Sequence, residues 1–68
     1  MAITLKAARV NADMTRGEVI GHLKDKFGIK ISINTLSNYE NKQSQPAVRI
    51  AKALASIYGV SVNDISFD

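Results

Sequence analysis

The sequence predicts an all-α fold, a five-helix orthogonal bundle that forms a single domain over residues 1–68. Three observations support this prediction. Apolar residues recur at the three- and four-residue spacing of amphipathic helices, and capping residues and glycines separate the segments in which they do so. The chain has only 68 residues and no cysteine, so helix packing must supply its thin core without disulfides or thiolate metal sites.

The first helix is predicted over residues 4–11, which contain neither glycine nor proline. Its apolar stripe consists of Leu5, Ala8 and Ala12. Asp13 follows at a predicted turn, and Thr15 then begins a second helix as its N-cap, with Glu18 placed to complete a capping box. The buried side of this second helix is predicted to hold Val19, Ile20, Leu23 and Phe27. Gly28 stands where the helix is expected to end.

A third helix is predicted over residues 33–41, with Ser32 as its N-cap. Before it, three isoleucines alternate with polar residues, which is typical of extended backbone, and we interpret this stretch as a linker because no partner strand is evident. The alternating residues are Ile29, Ile31 and Ile33. Leu36 and Tyr39 face the core, whereas the opposite face carries only amides and a hydroxyl. This polar face consists of Asn34, Ser37, Asn38 and Asn41.

A fourth helix is predicted from about residue 47 to residue 58, after Pro46 and before Gly59. Ser61 is expected to cap a short fifth helix. Its inward side chains would be Val62 and Ile65.

The charge is unevenly distributed along the chain. The net charge is +3, all nine Lys and Arg lie within residues 1–52, and the acids of the last sixteen residues are Asp64 and Asp68. A basic body favours a polyanionic partner, but an ordinary soluble surface fits so modest a charge as well. We expect a cytoplasmic protein without membrane contact, because no apolar run is long enough to cross a bilayer and the N-terminus lacks a secretion signal.

The third helix carries the strongest functional signal. Amides and hydroxyls solubilise a helix poorly compared with Lys and Glu, but they suit base edges in the major groove, where Asn pairs bidentately with adenine. A plain solvated face is the competing interpretation. Glu40 falls on the core side of this helix, where a carboxylate needs a partner, and Arg9 is the natural candidate. The alternative is that both are exposed and unrelated.

Several segments together resemble a known family. They are TLKAAR at 4–9, MTRGEVI at 14–20, SINTLSNYEN at 32–41, Pro46 and IAKALASIYGVSVNDI at 50–65. In order, and over nearly the whole chain, they resemble the lambda repressor/Cro-like helix-turn-helix domains, also called the XRE family. The third segment is the most specific.

The resemblance implies a role for each matching position. Arg9 and Glu40 would form the family's buried structural ion pair. The base-reading residues would be Ile33, Asn34, Ser37 and Asn38. The phosphate-contacting residues would be Arg16, Thr35, Lys42, Gln43 and Ser44. For Ile33 two interpretations stay open, contact with a thymine methyl group or packing in the core.

Two departures from the family pattern leave further alternatives open. The stretch between the second and third helices is several residues longer than usual, through either a longer helix or an added extended segment. Its lysines would add phosphate contacts or merely solubilise an insertion; they are Lys24, Lys26 and Lys30. Lys42 stands where the family commonly has glycine, so it is either strained in a left-handed turn or the loop takes another shape.

The resemblance implies a sequence-specific regulator of transcription that binds double-stranded DNA. It would be a repressor of the Cro type, as in phages and mobile elements, that occludes an operator. Such proteins often bind palindromic sites as homodimers, and Phe67 would then be an exposed contact. The alternative function is a protein-interaction module, antitoxin-like or anti-repressor-like, with the same fold.

We expect no enzymatic activity, cofactor, metal or small-molecule ligand. His22 is the only histidine, and without cysteines or converging carboxylates it does not form a zinc site. Ser32 and Ser37 have no histidine at a plausible distance to activate them as nucleophiles.

Overall fold

The computed structural model describes residues 2–67, so that Asp68 of the acidic tail lies outside the described part. The elements in chain order are β1 (Ile3–Thr4), α1 (Leu5–Asn11), α2 (Arg16–Phe27), α3 (Ile33–Glu40), α4 (Val48–Tyr58), the 3₁₀ helix η1 (Val62–Asp64) and β2 (Ile65–Ser66). Within residues 2–67 no helix is long and apolar enough to cross a membrane.

The predicted fold class is confirmed only in its mostly helical character. Residues 2–67 form four α-helices rather than five, because the segment predicted as the fifth forms only the three-residue η1. Ser61 caps η1 as predicted, by accepting a hydrogen bond from the Asn63 N–H at 3.3 Å. The chain is extended again at Ile65, where β2 pairs in parallel with β1 and Ile65 lies opposite Ile3. This pairing buries the β-branched Ile65, which explains why the helix does not continue.

Side-chain caps determine where three of the helices begin. Thr4, Thr15 and Ser32 precede α1, α2 and α3, and each hydroxyl accepts a hydrogen bond from the backbone N–H three residues later. The predicted capping box of α2 is complete, since the Glu18 carboxylate accepts from the Thr15 N–H at 2.9 Å. This hydrogen bond lowers the pKa of Glu18, so the box stabilises α2 above the unfolded-state pKa and weakens as the pH falls through the folded-state value.

Left-handed residues follow all four helices. Gly28 and Gly59 follow α2 and α4, as predicted, with φ of 65° and 72°. Asp13 and Lys42 follow α1 and α3 with φ of 60° and 63°, although neither is glycine. The loop at Lys42 therefore keeps the left-handed turn that glycine adopts most easily.

The core lies where α2 packs against both α3 and α4. Its largest fully buried side chains come from these three helices and are Val19, Leu23, Leu36 and Leu54. Two sequence-based predictions of exposure are wrong. Phe27, predicted to be buried, is 37% exposed at the end of α2, whereas Ile29, two residues later, is buried in the core. Phe67, predicted to be an exposed contact, is half-buried because it packs on the core beside β2.

Candidate nucleic-acid interface

Helix α3 has a buried side and an exposed side. Leu36 is fully buried and Glu40 is 8% exposed, which fixes the inward side. On the outward side Asn34 and Asn38 are exposed and Ser37 is half-buried. The structure therefore places the predicted amide-bearing residues together on one accessible face.

Ile33 begins α3 and is 52% exposed. The sequence left two interpretations of Ile33 open, and this exposure excludes the one in which Ile33 packs in the core. A large exposed aliphatic side chain at the first turn of a polar face is available for an apolar contact, such as one with a thymine methyl group.

Thr35 is half-buried within the first turn of α3. Its hydroxyl lies 3.0 Å from the Ser32 hydroxyl, and its backbone N–H donates to the same Ser32 oxygen at 3.1 Å. Because a hydroxyl has one donor and two acceptor sites, and the contact with Ser32 uses only one of them, the Thr35 hydroxyl retains capacity for two more partners.

The loop after α3 presents three exposed residues, Lys42, Gln43 and Ser44. The Gln43 N–H donates to the Asn38 carbonyl at 2.9 Å and the Lys42 N–H donates to the Tyr39 carbonyl at 3.2 Å. This pair of bonds is the Schellman motif, in which the left-handed position is usually glycine. Lys42 therefore occupies a strained backbone position at the exact point where the loop leaves α3.

Behind α3, the carboxylate of Glu40 joins the first three helices. Arg9 of α1 donates from Nε to Glu40 Oε2 at 2.7 Å and from Nη2 to Oε1 at 3.4 Å. Arg16 of α2 donates from Nε to Glu40 Oε1 at 3.0 Å. We call Arg9, Arg16 and Glu40 the ion trio. The Glu40 side chain is fully buried within it, and Arg9 also donates from Nη1 to the Met14 carbonyl at 2.9 Å.

The ion trio contains one contact that the sequence did not reveal. The structure forms the Arg9–Glu40 pair implied by the family resemblance, but it also brings Arg16, expected only at a phosphate, onto the same carboxylate. No sequence spacing indicates this contact, because it depends on how α2 packs against α3. The Arg16 side chain remains 35% exposed.

Tyr58 on α4 is a further buried polar residue that the sequence did not single out. Its hydroxyl is buried and makes no hydrogen bond within residues 2–67. Burial raises the pKa of Tyr58 well above its usual value, the Glu40 carboxylate raises it further, and Arg9 opposes both. Tyr58 is therefore a neutral phenol in the electrostatic field of the ion trio.

The sequence left open whether a longer helix or an added extended segment lengthens the stretch between the second and third helices. The structure shows both features. Helix α2 extends to Phe27, and irregular backbone then runs from Gly28 to Ser32. Lys24, Lys26 and Lys30 are exposed along it. The end of α2 lies over the start of α4, where Arg49 Nη2 donates to the Phe27 carbonyl at 3.4 Å beside an open pocket of about 440 Å³.

Comparison with known proteins agrees with this arrangement. A family model described as helix-turn-helix matches residues 5–65, from the first residue of α1 to the first of β2. Comparison with curated proteins gives no match. Comparison with solved structures gives none either. Because the family model covers most of the chain, this protein belongs to the XRE-type, lambda repressor-like helix-turn-helix family of DNA-binding transcription regulators.

Proposed function

We propose that this protein is a repressor of the Cro type that places α3 in the major groove of an operator and excludes competing proteins from it. The observation that carries the proposal is the two-sided character of α3. Its inward side is held by Leu36 and Glu40, so that a polar, uncharged face with Asn34 and Asn38 is presented at a fixed orientation. A rigid helix with exposed amides suits direct recognition of base edges.

Sequence choice would come from the exposed face of α3. Asn34 and Asn38 each offer an amide that pairs bidentately with adenine, and the half-buried Ser37 offers a hydroxyl between them. Ile33 would contact a thymine methyl group from the first turn. These four side chains would determine the preferred operator.

Affinity would come from phosphate contacts on either side of α3. The predicted set is Arg16, Thr35, Lys42, Gln43 and Ser44. The strained backbone of Lys42 supports this role, because a non-glycine residue in a left-handed turn costs about 1–2 kcal/mol. A favourable contact between the Lys42 ammonium group and a phosphate would offset this cost.

The assembly that fits a palindromic operator is a homodimer with half-sites one helical turn apart. The C-terminal end of the chain is the proposed contact, since Val60 and Val62 are only half-buried on the monomer. We propose this interface together with the operator symmetry that it requires.

One observation favours the second candidate, a protein-interaction module. Phe27 and Val48 are 37% and 71% exposed beside the open pocket at the end of α2. Salt separates the candidates, because each neutralised phosphate adds about −0.9 to the slope of log affinity against log salt concentration. Apolar docking of a protein gives little such slope.

The test of the repressor function begins with selection of bound sites from a random duplex library at about 150 mM salt, where non-specific binding is weakened. We expect a recovered motif, and a palindromic one if the homodimer forms. Failure of the folded protein to enrich any motif would contradict sequence-specific binding.

Asn38→Ala then tests direct base recognition. We expect it to weaken binding to the selected site by about 1–3 kcal/mol and to leave binding to random duplex nearly unchanged, because a base contact carries the discrimination. Asn11→Ala is the matched control, since Asn11 is an exposed amide at the end of α1. Equal losses on both duplexes would assign Asn38 to backbone positioning instead.

A further inference from the structure

The two arginines of the ion trio differ in how many guanidinium nitrogens form hydrogen bonds within the protein. Arg9 uses Nε, Nη1 and Nη2 in hydrogen bonds within the protein, and its side chain is 11% exposed. Arg16 uses Nε alone, and its Nη1 and Nη2 make no hydrogen bond to residues 2–67. A guanidinium is a rigid planar fork, so fixing Nε also fixes the direction in which the outer Nη pair points.

We propose that Glu40 is a positioning residue that holds Arg16 by Nε and thereby directs its two outer nitrogens at a DNA phosphate. This inference rests on the proposed function and adds to it a mechanism for one phosphate contact. Arg16 is the first residue of α2 and is 35% exposed, so an anion can reach the outer edge of its guanidinium while the inner edge stays on Glu40.

The charges of the ion trio support this arrangement. Two guanidinium groups share a single buried carboxylate, which leaves one positive charge without a partner within the trio. The nearest acid in the sequence is Glu18, but its carboxylate is engaged with the Thr15 N–H in the capping box. A phosphate monoanion supplies the missing charge and accepts two parallel N–H bonds, which is the geometry that arginine forms best.

The arrangement also relates phosphate contact to base recognition. Glu40 is the last residue of α3, while Arg16 is the first of α2. The Glu40 carboxylate would therefore fix the position of a phosphate bound by Arg16 relative to the helix that carries Asn34 and Asn38. Lysine cannot reproduce this geometry, because the three N–H donors on its single nitrogen form no planar fork in which one edge fixes the direction of the other.

The experiment compares two arginines by the same substitutions. Arg16→Lys and Arg16→Gln are made alongside Arg49→Lys and Arg49→Gln, since Arg49 is an exposed arginine of α4 whose hydrogen bond goes to a backbone carbonyl and not to a carboxylate. Affinity for the selected duplex is measured over a series of salt concentrations, after each variant is shown to be folded.

At Arg16 we expect lysine to lose most of what glutamine loses, at least about tenfold in affinity, because even one of the two charge-assisted hydrogen bonds to the phosphate is worth that much. Arg16→Gln is also expected to reduce the salt slope by about 0.9. At Arg49 we expect lysine to stay within about twofold of the wild type, because no carboxylate holds the Arg49 guanidinium and its hydrogen bond goes to a backbone carbonyl.

A spectroscopic measurement tests the role of Glu40 directly. The ¹⁵N-edited NMR signal of the Arg16 Nε–H is expected to be protected from exchange in the free protein and to stay so in the complex. Glu40→Gln should remove this protection. If that variant fails to fold, the comparison of Arg16→Lys with Arg49→Lys still decides the matter.

The outcomes separate this inference from the function on which it rests. An Arg16→Lys variant that binds like the wild type overturns the positioning role while the repressor function stands. A loss of affinity at Arg16→Gln with an unchanged salt slope also overturns it, because Arg16 would then be a structural ion-pair partner only. A wild-type protein that binds no duplex overturns the proposed function itself.

Discussion

The two ends of α3 are built in opposite ways. At the C-terminal end the buried carboxylate of Glu40 accepts bonds from α1 and α2, and the chain leaves through a Schellman motif at Lys42. At the N-terminal end the cap is the exposed Ser32, and the side chains of Ile33 and Asn34 are exposed.

The difference shows how a small domain can hold the proposed recognition surface rigid without covering it. Long-range bonds are concentrated at the C-terminal end of α3, and a local cap is sufficient at the N-terminal end, which carries the exposed Ile33 and Asn34. Substitutions of the buried contacts at the C-terminal end should therefore change folding, whereas substitutions of the exposed side chains at the N-terminal end should change binding with little effect on folding.

Arg9→Ala is expected to give the largest effect, at the C-terminal end. It removes two hydrogen bonds from the buried Glu40 carboxylate and leaves Arg16 as its partner, so the loss should lie near the lower end of the roughly 3–5 kcal/mol that breaking a buried ion pair costs. The free energy of unfolding from urea denaturation measures the loss. Lys6→Ala is the control, because Lys6 is exposed on the same helix. Equal unfolding midpoints for the two variants would contradict an energetic role for the ion trio.

Lys42→Gly is expected to give an intermediate effect with opposite signs for stability and binding. Glycine relieves the left-handed strain and should raise the free energy of unfolding by about 1 kcal/mol. Loss of the cation should weaken DNA binding on all sequences and reduce the salt slope by about 0.9. Lys42→Asn is the control, because asparagine tolerates the turn but carries no charge. Unchanged DNA affinity in both variants would leave Lys42 without a phosphate role.

Ile33→Thr is expected to give the smallest change in stability, within about 0.5 kcal/mol, because Ile33 is 52% exposed at the start of α3. A thermal melt against the wild type measures it. A loss of more than about 1 kcal/mol would mean that Ile33 packs in the core after all.

Local features of this molecule were predictable from the sequence. Thr15, Ser32 and Ser61 were correctly predicted as caps, because a capping hydrogen bond depends on residues two or three positions away. Gly28 and Gly59 were correctly predicted as helix ends for the same reason.

Features that depend on distant packing were not predictable. The contact of Arg16 with Glu40 requires α2 and α3 to meet at a particular angle, and no residue spacing encodes that angle. Phe27 continues the apolar pattern of α2, but its side chain is 37% exposed, and Ile29 after the helix is buried instead. The turn at η1 ends early because Ile65 gains a partner from the other end of the chain.

The pairing of β1 with β2 has a consequence for the order in which the molecule folds and locally unfolds. Ile3 and Ile65 come from opposite ends of the described chain, so joining them closes a loop that contains all four α-helices. Closing so long a loop is entropically costly until the helices have packed, so the strands should join late in folding and separate early in native-state fluctuations. Amide hydrogen exchange would then begin at both ends together, and a peptide fused before Ile3 would disturb the last strand as much as the first.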